Sequence, residues 1–287
     1  MLELLINPKK AEREPWEMFF IGLIYGFLSI VIAYFLFGKD PVLSHYMSIF
    51  MIIFCVIFSM PFVYYTIKLE ERKDYEIDSE WRLLREHGRA IIVFLWLFIG
   101  FVVAFSIGYM IFPNGEQFFK AQIETYCQIN RADTFDNCVR EYGLSGNFDI
   151  TGGASTNSIR FWSIFSNNII VLMFSMIASL IFGAGAIFIL AWNASVIAAA
   201  IGIFTRSDIT QLPLGLARYF IHGIPEIAAY FMAALAGGIF STAIIRHENK
   251  RERFLAILQD SLNLLMIAIV ILVIAALIEV FITPKLF

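Results

Sequence analysis

The sequence predicts an all-α fold: a polytopic transmembrane helical bundle of about seven spans, with a broken sixth span and a structured outer loop. Three observations point there. Hydrophobic residues fill 59% of the 287 positions, against roughly 45–50% in a soluble domain. Charged residues make up 16%, where roughly 25% is usual. Apolar stretches of about 18 residues or more recur from near the N-terminus to the last turn, each long enough as a helix to cross about 30 Å of hydrocarbon. This composition excludes a purely soluble enzyme. The net charge of −3 is spread over both signs and offers no basic tract to follow a phosphate backbone, so the expected surroundings are a lipid bilayer and not nucleic acid.

The first apolar run is Met18–Phe37, closed by Gly38-Lys39-Asp40-Pro41. The segment before it carries charges of both signs and the run lacks a small-residue cleavage signature, so a retained helix is expected rather than a secretory signal. A second run, Leu43–Ile67, completes a hairpin and ends in the charged segment Lys68–Arg89. The third, Ala90–Phe112, stops at Pro113-Asn114-Gly115. The polar stretch that follows, 113–160, far exceeds the usual connection and must be a small structured element or a functional loop. Spans four and five, Phe161–Phe182 and Ala186–Phe204, flank the turn Gly183-Ala184-Gly185, and the seventh covers Ser261–Thr283. The sixth, Leu214–Ile245, is longer than a bilayer core needs and is expected to be tilted, broken or partly interfacial. Two units are drawn from this: residues 1–88, a hairpin with its cytoplasmic connection, and residues 89–287, a five-helix membrane domain that includes the outer loop.

Lysine and arginine set the expected orientation. With the N-terminus inside, the inner segments around Lys9–Arg13, Lys68–Arg89 and Arg246–Arg253 hold most of the basic residues. The outer segments hold Lys39, Lys120, Arg131, Arg140, Arg160, Arg206 and Lys285. The bias favours integration into the cytoplasmic membrane with the N-terminus inside and the C-terminus outside. Cys127 and Cys138 then lie together in the outer loop, where a disulfide is the natural reading in an oxidising compartment. The inner stretch from Glu70 runs into Trp81-Arg82-Leu83-Leu84-Arg85, which suits a short interfacial amphipathic helix or, equally, a solvated connection of alternating charge.

Ionisable groups at bilayer depth are functional candidates because each costs at least about 2.5–3.5 kcal/mol to insert. They gather in the C-terminal half. Arg218, His222, Glu226 and Tyr230 recur every four residues in the sixth span, one face of a helix. Pro225 cannot donate to the helix ladder and Gly223 lets the chain bend, so a break is expected beside His222 and Glu226. Asn167, Asn168, Asn193 and Glu279 from neighbouring spans can join them, with Arg218 as counter-charge. Three readings stay open: a buried network fixing helix register, a proton or ion path, or a divalent metal held by His222, Glu226 and Glu279, with catalysis as its consequence. Stripes of small residues, Ala229-Ala233-Gly237 and Ala194-Ala198-Gly202, suit close helix packing within the chain or a homo-oligomer seam. No phosphate-cradling glycine loop, Ser-His-Asp order or paired CxxC is present.

The run Phe165-Ser-Asn167-Asn168-Ile169, the Gly183–Gly185 turn, Asn193 and Gly202, His222-Gly223-Ile-Pro225-Glu226, and Ala275-Ala276-Leu-Ile-Glu279-Val-Phe-Ile-Thr283-Pro284 together resemble the stage II sporulation protein M family of integral membrane proteins. The resemblance covers about Arg89–Pro284. It implies the five-helix domain and singles out Asn168, His222, Glu226 and Glu279. The named member is similar to a scaffold that recruits cell-wall-cutting enzymes. A non-enzymatic scaffold or assembly factor is therefore the expected function, with a membrane or extracytoplasmic protein as partner. A small-solute or ion transporter and an intramembrane metal-dependent hydrolase are the alternatives.

Overall fold

The computed structural model describes residues 7–77, 80–112, 115–130, 135–143, 157–182, 185–205, 208–245 and 251–286; among them every regular element is helical. Helix α1 (Pro8–Arg13) starts where the Asn7 side chain accepts from the Lys9 N–H at 3.0 Å and Pro8 takes the first position, both of which suit a helix N-terminus. Helix α2 (Glu17–Phe37) is the first span. It ends in a turn whose Asp40 carboxylate accepts from the Val42 and Leu43 N–H groups, each at 2.8 Å. Those two donors hold the Asp40 carboxyl below the usual range.

A 3-10 turn, Leu43–Tyr46, leads into α3 (Met47–Glu76), and α4 (Glu80–Ile111) follows. The two helices extend well into the segment expected as an inner connection. Trp81–Arg85 form the first turns of the third span and not a separate interfacial helix. The reason is visible in the packing. Glu70 and Glu71 are 0% and 1% exposed, and the Lys73 ammonium lies 2.7 Å from both Glu70 and Glu12 and 3.6 Å from Glu86. His87 Nδ1 lies 2.9 Å from Glu70 Oε2. This ionic knot joins α1, α3 and α4, so charges that read as solvated are buried with partners, the condition under which buried charge is tolerated. Burial, and a hydrogen bond with the Glu70 carboxyl, push Glu12 up to about 7.

Between α4 and the fourth span the described chain forms α5 (Gly115–Phe118), α6 (Lys120–Asn130) and α7 (Phe135–Gly143). The long insert is thus a small helical cap. Phe118, Phe119, Ile123, Cys127 and Cys138 are buried beneath it, and the Cys127 and Cys138 sulfurs stand at bonding distance, 2.03 Å. Helices α8 (Asn157–Phe182), α9 (Ala186–Thr205) and α10 (Leu212–Ile245) follow. Last come α11 (Arg251–Leu277), a π-turn over Ile278–Ile282 and α12 (Thr283–Leu286).

The sixth span differs from expectation: α10 is helical without interruption through Gly223 and Pro225. Pro225 removes one donor from the ladder, but close packing of the helix on both sides holds the backbone in register. The irregular backbone lies instead in the seventh span, at the π-turn that contains Glu279.

Among the described residues, seven helices are long and apolar enough to span a membrane. Their contacts centre on two places, the crossing of α2 with α4 and the packing of α10 against both α8 and α11. In the first, Gly22 and Gly100 bring backbones together: a Cβ on Gly22 would run into the Leu97 carbonyl, and one on Gly100 into the Phe19 carbonyl. In the second, Gly237 lies against the Met176 carbonyl. Both small-residue stripes are buried within the chain, since Ala194, Ala198, Ala229 and Ala233 have no exposed surface. The outward faces are apolar as well. Phe20, Ile24, Phe35, Phe174, Ile181, Met266, Val270 and Ile274 are exposed, as a bilayer-facing surface requires.

Candidate functional site

Helix α8 contributes Asn168, which is buried at 6% exposure. Its amide Nδ2 donates to Glu226 Oε1 of α10 at 2.6 Å. The Glu226 carboxyl in turn hydrogen-bonds the Glu279 carboxyl in the π-turn. An ionised carboxylate has no donor, so a hydrogen bond between two carboxyls carries one proton. Three spans therefore meet at Asn168, Glu226 and Glu279. Tyr230, one turn further along α10, is buried at 2% exposure and lies within the electrostatic reach of both carboxyls.

His222 sits one turn nearer the cap. Its Nδ1 lies 3.2 Å from Thr283 Oγ1, while the Thr283 hydroxyl donates to the Ile278 carbonyl at 3.3 Å. With the hydroxyl proton committed there, His222 Nδ1–H is the donor to Thr283. The π-turn makes this contact: the Thr283 N–H also bonds the Ile278 carbonyl, five residues back, and the wider turn aims the Thr283 side chain at α10. Such turns are rare and recur at functional positions.

The remaining predicted residues are placed differently. The Arg218 guanidinium lies 4.7 Å from the centre of the Phe204 ring on α9. A further cation, Arg160 at the start of α8, acts electrostatically on Glu279. Asn193 donates to the Ile189 carbonyl of its own helix at 2.8 Å, and with Asn167 it faces a cleft of about 850 Å³ between α6, α8 and α9. Among the described residues no three His, Cys, Asp or Glu side chains gather as a metal site. His222 turns to Thr283, so His222, Glu226 and Glu279 are not assembled into one ligand set.

Four participants were not singled out from the sequence as members of this site: Thr283, Tyr219, Tyr126 and Arg160. Tyr219 hydrogen-bonds Tyr126 of α6, and its ring lies 6.2 Å from that of His222. The cap thus reaches the cluster directly. The spacing of Tyr219 from His222, three residues along one helix, was the available signal. The ionic knot was missed as well, although Glu70 and Lys73 are also three apart.

A bundle of seven apolar spans, outwardly apolar and polar at its centre, defines an integral membrane protein of the all-α class. Residues 90–284 match the family described as Stage II sporulation protein M, and the chain belongs to that family. It is also similar to an uncharacterized protein of Methanocaldococcus jannaschii, with 33% identity over 142 residues, 48% of this chain and 78% of that relative. No solved structure matches.

Proposed function

We propose that this chain is a non-enzymatic membrane scaffold whose five C-terminal spans form a rigid seat for the helical cap. The Asn168–Glu226–Glu279 connection carries the reading. It ties α8, α10 and the π-turn by side-chain hydrogen bonds at bilayer depth, where buried polar contacts act as specific interhelical links. Tyr126–Tyr219 couples that clasp to the cap. The basic residues near α1 and the α3–α4 junction support an orientation with that end inside and the cap outside, where the cap would meet an extracytoplasmic or membrane-protein partner and Cys127–Cys138 would be oxidised.

The carboxyl pair favours a second reading, proton-coupled transport, because a shared proton between two buried acids can be exchanged. Proteoliposomes loaded with a pH-sensitive dye separate the two. A scaffold gives the same proton flux as empty vesicles under an imposed gradient, and Glu226→Gln leaves cap-directed cross-linking of its partner intact. Gradient-driven flux that disappears in a well-folded Glu226→Gln protein would overturn the scaffold reading.

A further inference from the structure

We infer that the notch between α1 and the end of α3 binds the phosphate of an anionic phospholipid headgroup. The notch holds about 560 Å³ and is lined by Asn7, Lys9, Tyr65, Lys68, Leu69 and Arg72 among others. Positions 65, 68, 69 and 72 are spaced by three and four, so they form one face of α3. Two cations on that face, Lys68 and Arg72, meet a third, Lys9, carried in by α1. Leu69 and Tyr65 supply the apolar floor beside them.

Several cations at this end of the bundle are paired with acids. Lys10 pairs with Glu17 at 3.0 Å, Lys73 with Glu12 and Glu70, and Arg89 with Glu86 at 2.8 Å. Lys9, Lys68 and Arg72 have no acidic partner within 4 Å among the described residues, and no acid lines the notch. Three cations without an acidic partner that converge on one recess lacking acids suit an anion. The level of the recess selects the source. Lys68 and Arg72 lie at the end of the second span, Leu43–Lys73, and Tyr64 and Tyr65 are exposed at 43% and 44%, the aromatic placement of a headgroup region. The Lys68 ammonium sits 4.6 Å from the Tyr64 ring centre, which holds it at that level. Basic recesses between spans at the headgroup level are suited to anionic lipid heads, about fivefold in affinity for each cation.

Native mass spectrometry of the full chain in detergent, titrated with phosphatidylglycerol or with phosphatidylcholine of matched acyl chains, tests the assignment. Phosphatidylglycerol is expected to bind the wild type at least about tenfold more tightly. The Lys68→Gln, Arg72→Gln double variant should lose about 25-fold toward phosphatidylglycerol, and Lys9→Gln alone about fivefold. Lys10→Gln, which removes a cation paired with Glu17, should change nothing. Helical circular dichroism and a monodisperse elution profile establish that each variant is folded. Equal affinity for the two lipids, or unchanged phosphatidylglycerol binding in both the double variant and Lys9→Gln, overturns the inference. Displacement of phosphatidylglycerol by inorganic phosphate at equal concentration would assign the notch to a soluble anion and overturn the lipid source.

Discussion

Asn168 and Glu226 lie 58 residues apart in the chain, and the Asn168 amide donates to the Glu226 carboxyl across 2.6 Å. This bond links the fourth span to the sixth beside a second carboxyl. Asn168→Ala removes the donor and leaves the carboxyl pair one bond short. The expected loss is about 1–2 kcal/mol of stability, the range of interhelical polar contacts in membranes. Steric-trapping measurements in bicelles would read it. A variant as stable as wild type would show that the bond carries no load.

Two glycines on α4 make opposite predictions. Gly100 meets the Phe19 carbonyl and Gly22 across the α2–α4 crossing, so Gly100→Ala forces the helices apart and should cost about 1–3 kcal/mol, as overpacking does. Gly88 has nothing within 4 Å of an added Cβ. Gly88→Ala should therefore stabilise by roughly 0.5–1 kcal/mol through helix propensity alone. Thermal unfolding of both variants in one detergent gives the comparison, and a shift of the same sign in both would contradict the packing described.

The Cys127–Cys138 pair predicts a thiol count. In protein isolated without reductant and denatured, one thiol per chain should react, that of Cys55, which is buried in the second span; after reduction, three should react. Two further thiols before reduction would show that the cap is not cross-linked. If the bond forms, the Cys127→Ser, Cys138→Ser variant should lose about 2–3 kcal/mol in the chain-entropy model, read as faster proteolysis of the cap.

The acid near the N-terminus predicts a pH dependence. Glu12 is held up to about 7 by burial first and then by Glu70; Lys73 faces it from α3, with Glu86 behind on α4. A raised acid contributes stability that is complete below its unfolded value near 4.5 and lost as pH rises through about 7. The α1 segment should thus dock more tightly at pH 5.5 than at pH 8. Hydrogen exchange over Lys9–Arg13, corrected for intrinsic rates, should show more protection at the lower pH, and Glu12→Gln should flatten the difference. Protection that increases with pH would reverse the sign and refute this account.

The seven spans were legible because bilayer thickness imposes a minimum apolar length that the sequence meets seven times. The pairing of Glu226 with Asn168 and Glu279 was legible in part, since buried polar groups must find each other and few stood at suitable depth. The course of α10 was not. Pro225 suggests a break by local rules, yet Ile227, Ala229 and Leu235 are buried against neighbouring helices, and tertiary packing overrides one missing donor. The π-turn at Ile278–Ile282 left no local signature, because residue type does not distinguish a five-residue hydrogen bond from a four-residue one. The ionic knot was hidden for a related reason: alternating charges look the same whether water or Lys73 and His87 satisfy them.

The π-turn also makes chain length a variable of the seventh span. It accommodates one residue more than an α-helix would over the same rise, so the helix beyond it is rotated by about 100° relative to uninterrupted α geometry. Removing one residue from 278–282 would let the Thr283 N–H reach the Ile278 carbonyl in ordinary α geometry, shortening the sequence without shortening the membrane crossing and leaving Thr283 beside His222. Within this family, a single-residue gap at that point would therefore mark members whose seventh span is α-helical throughout, with the residue beside the histidine unchanged.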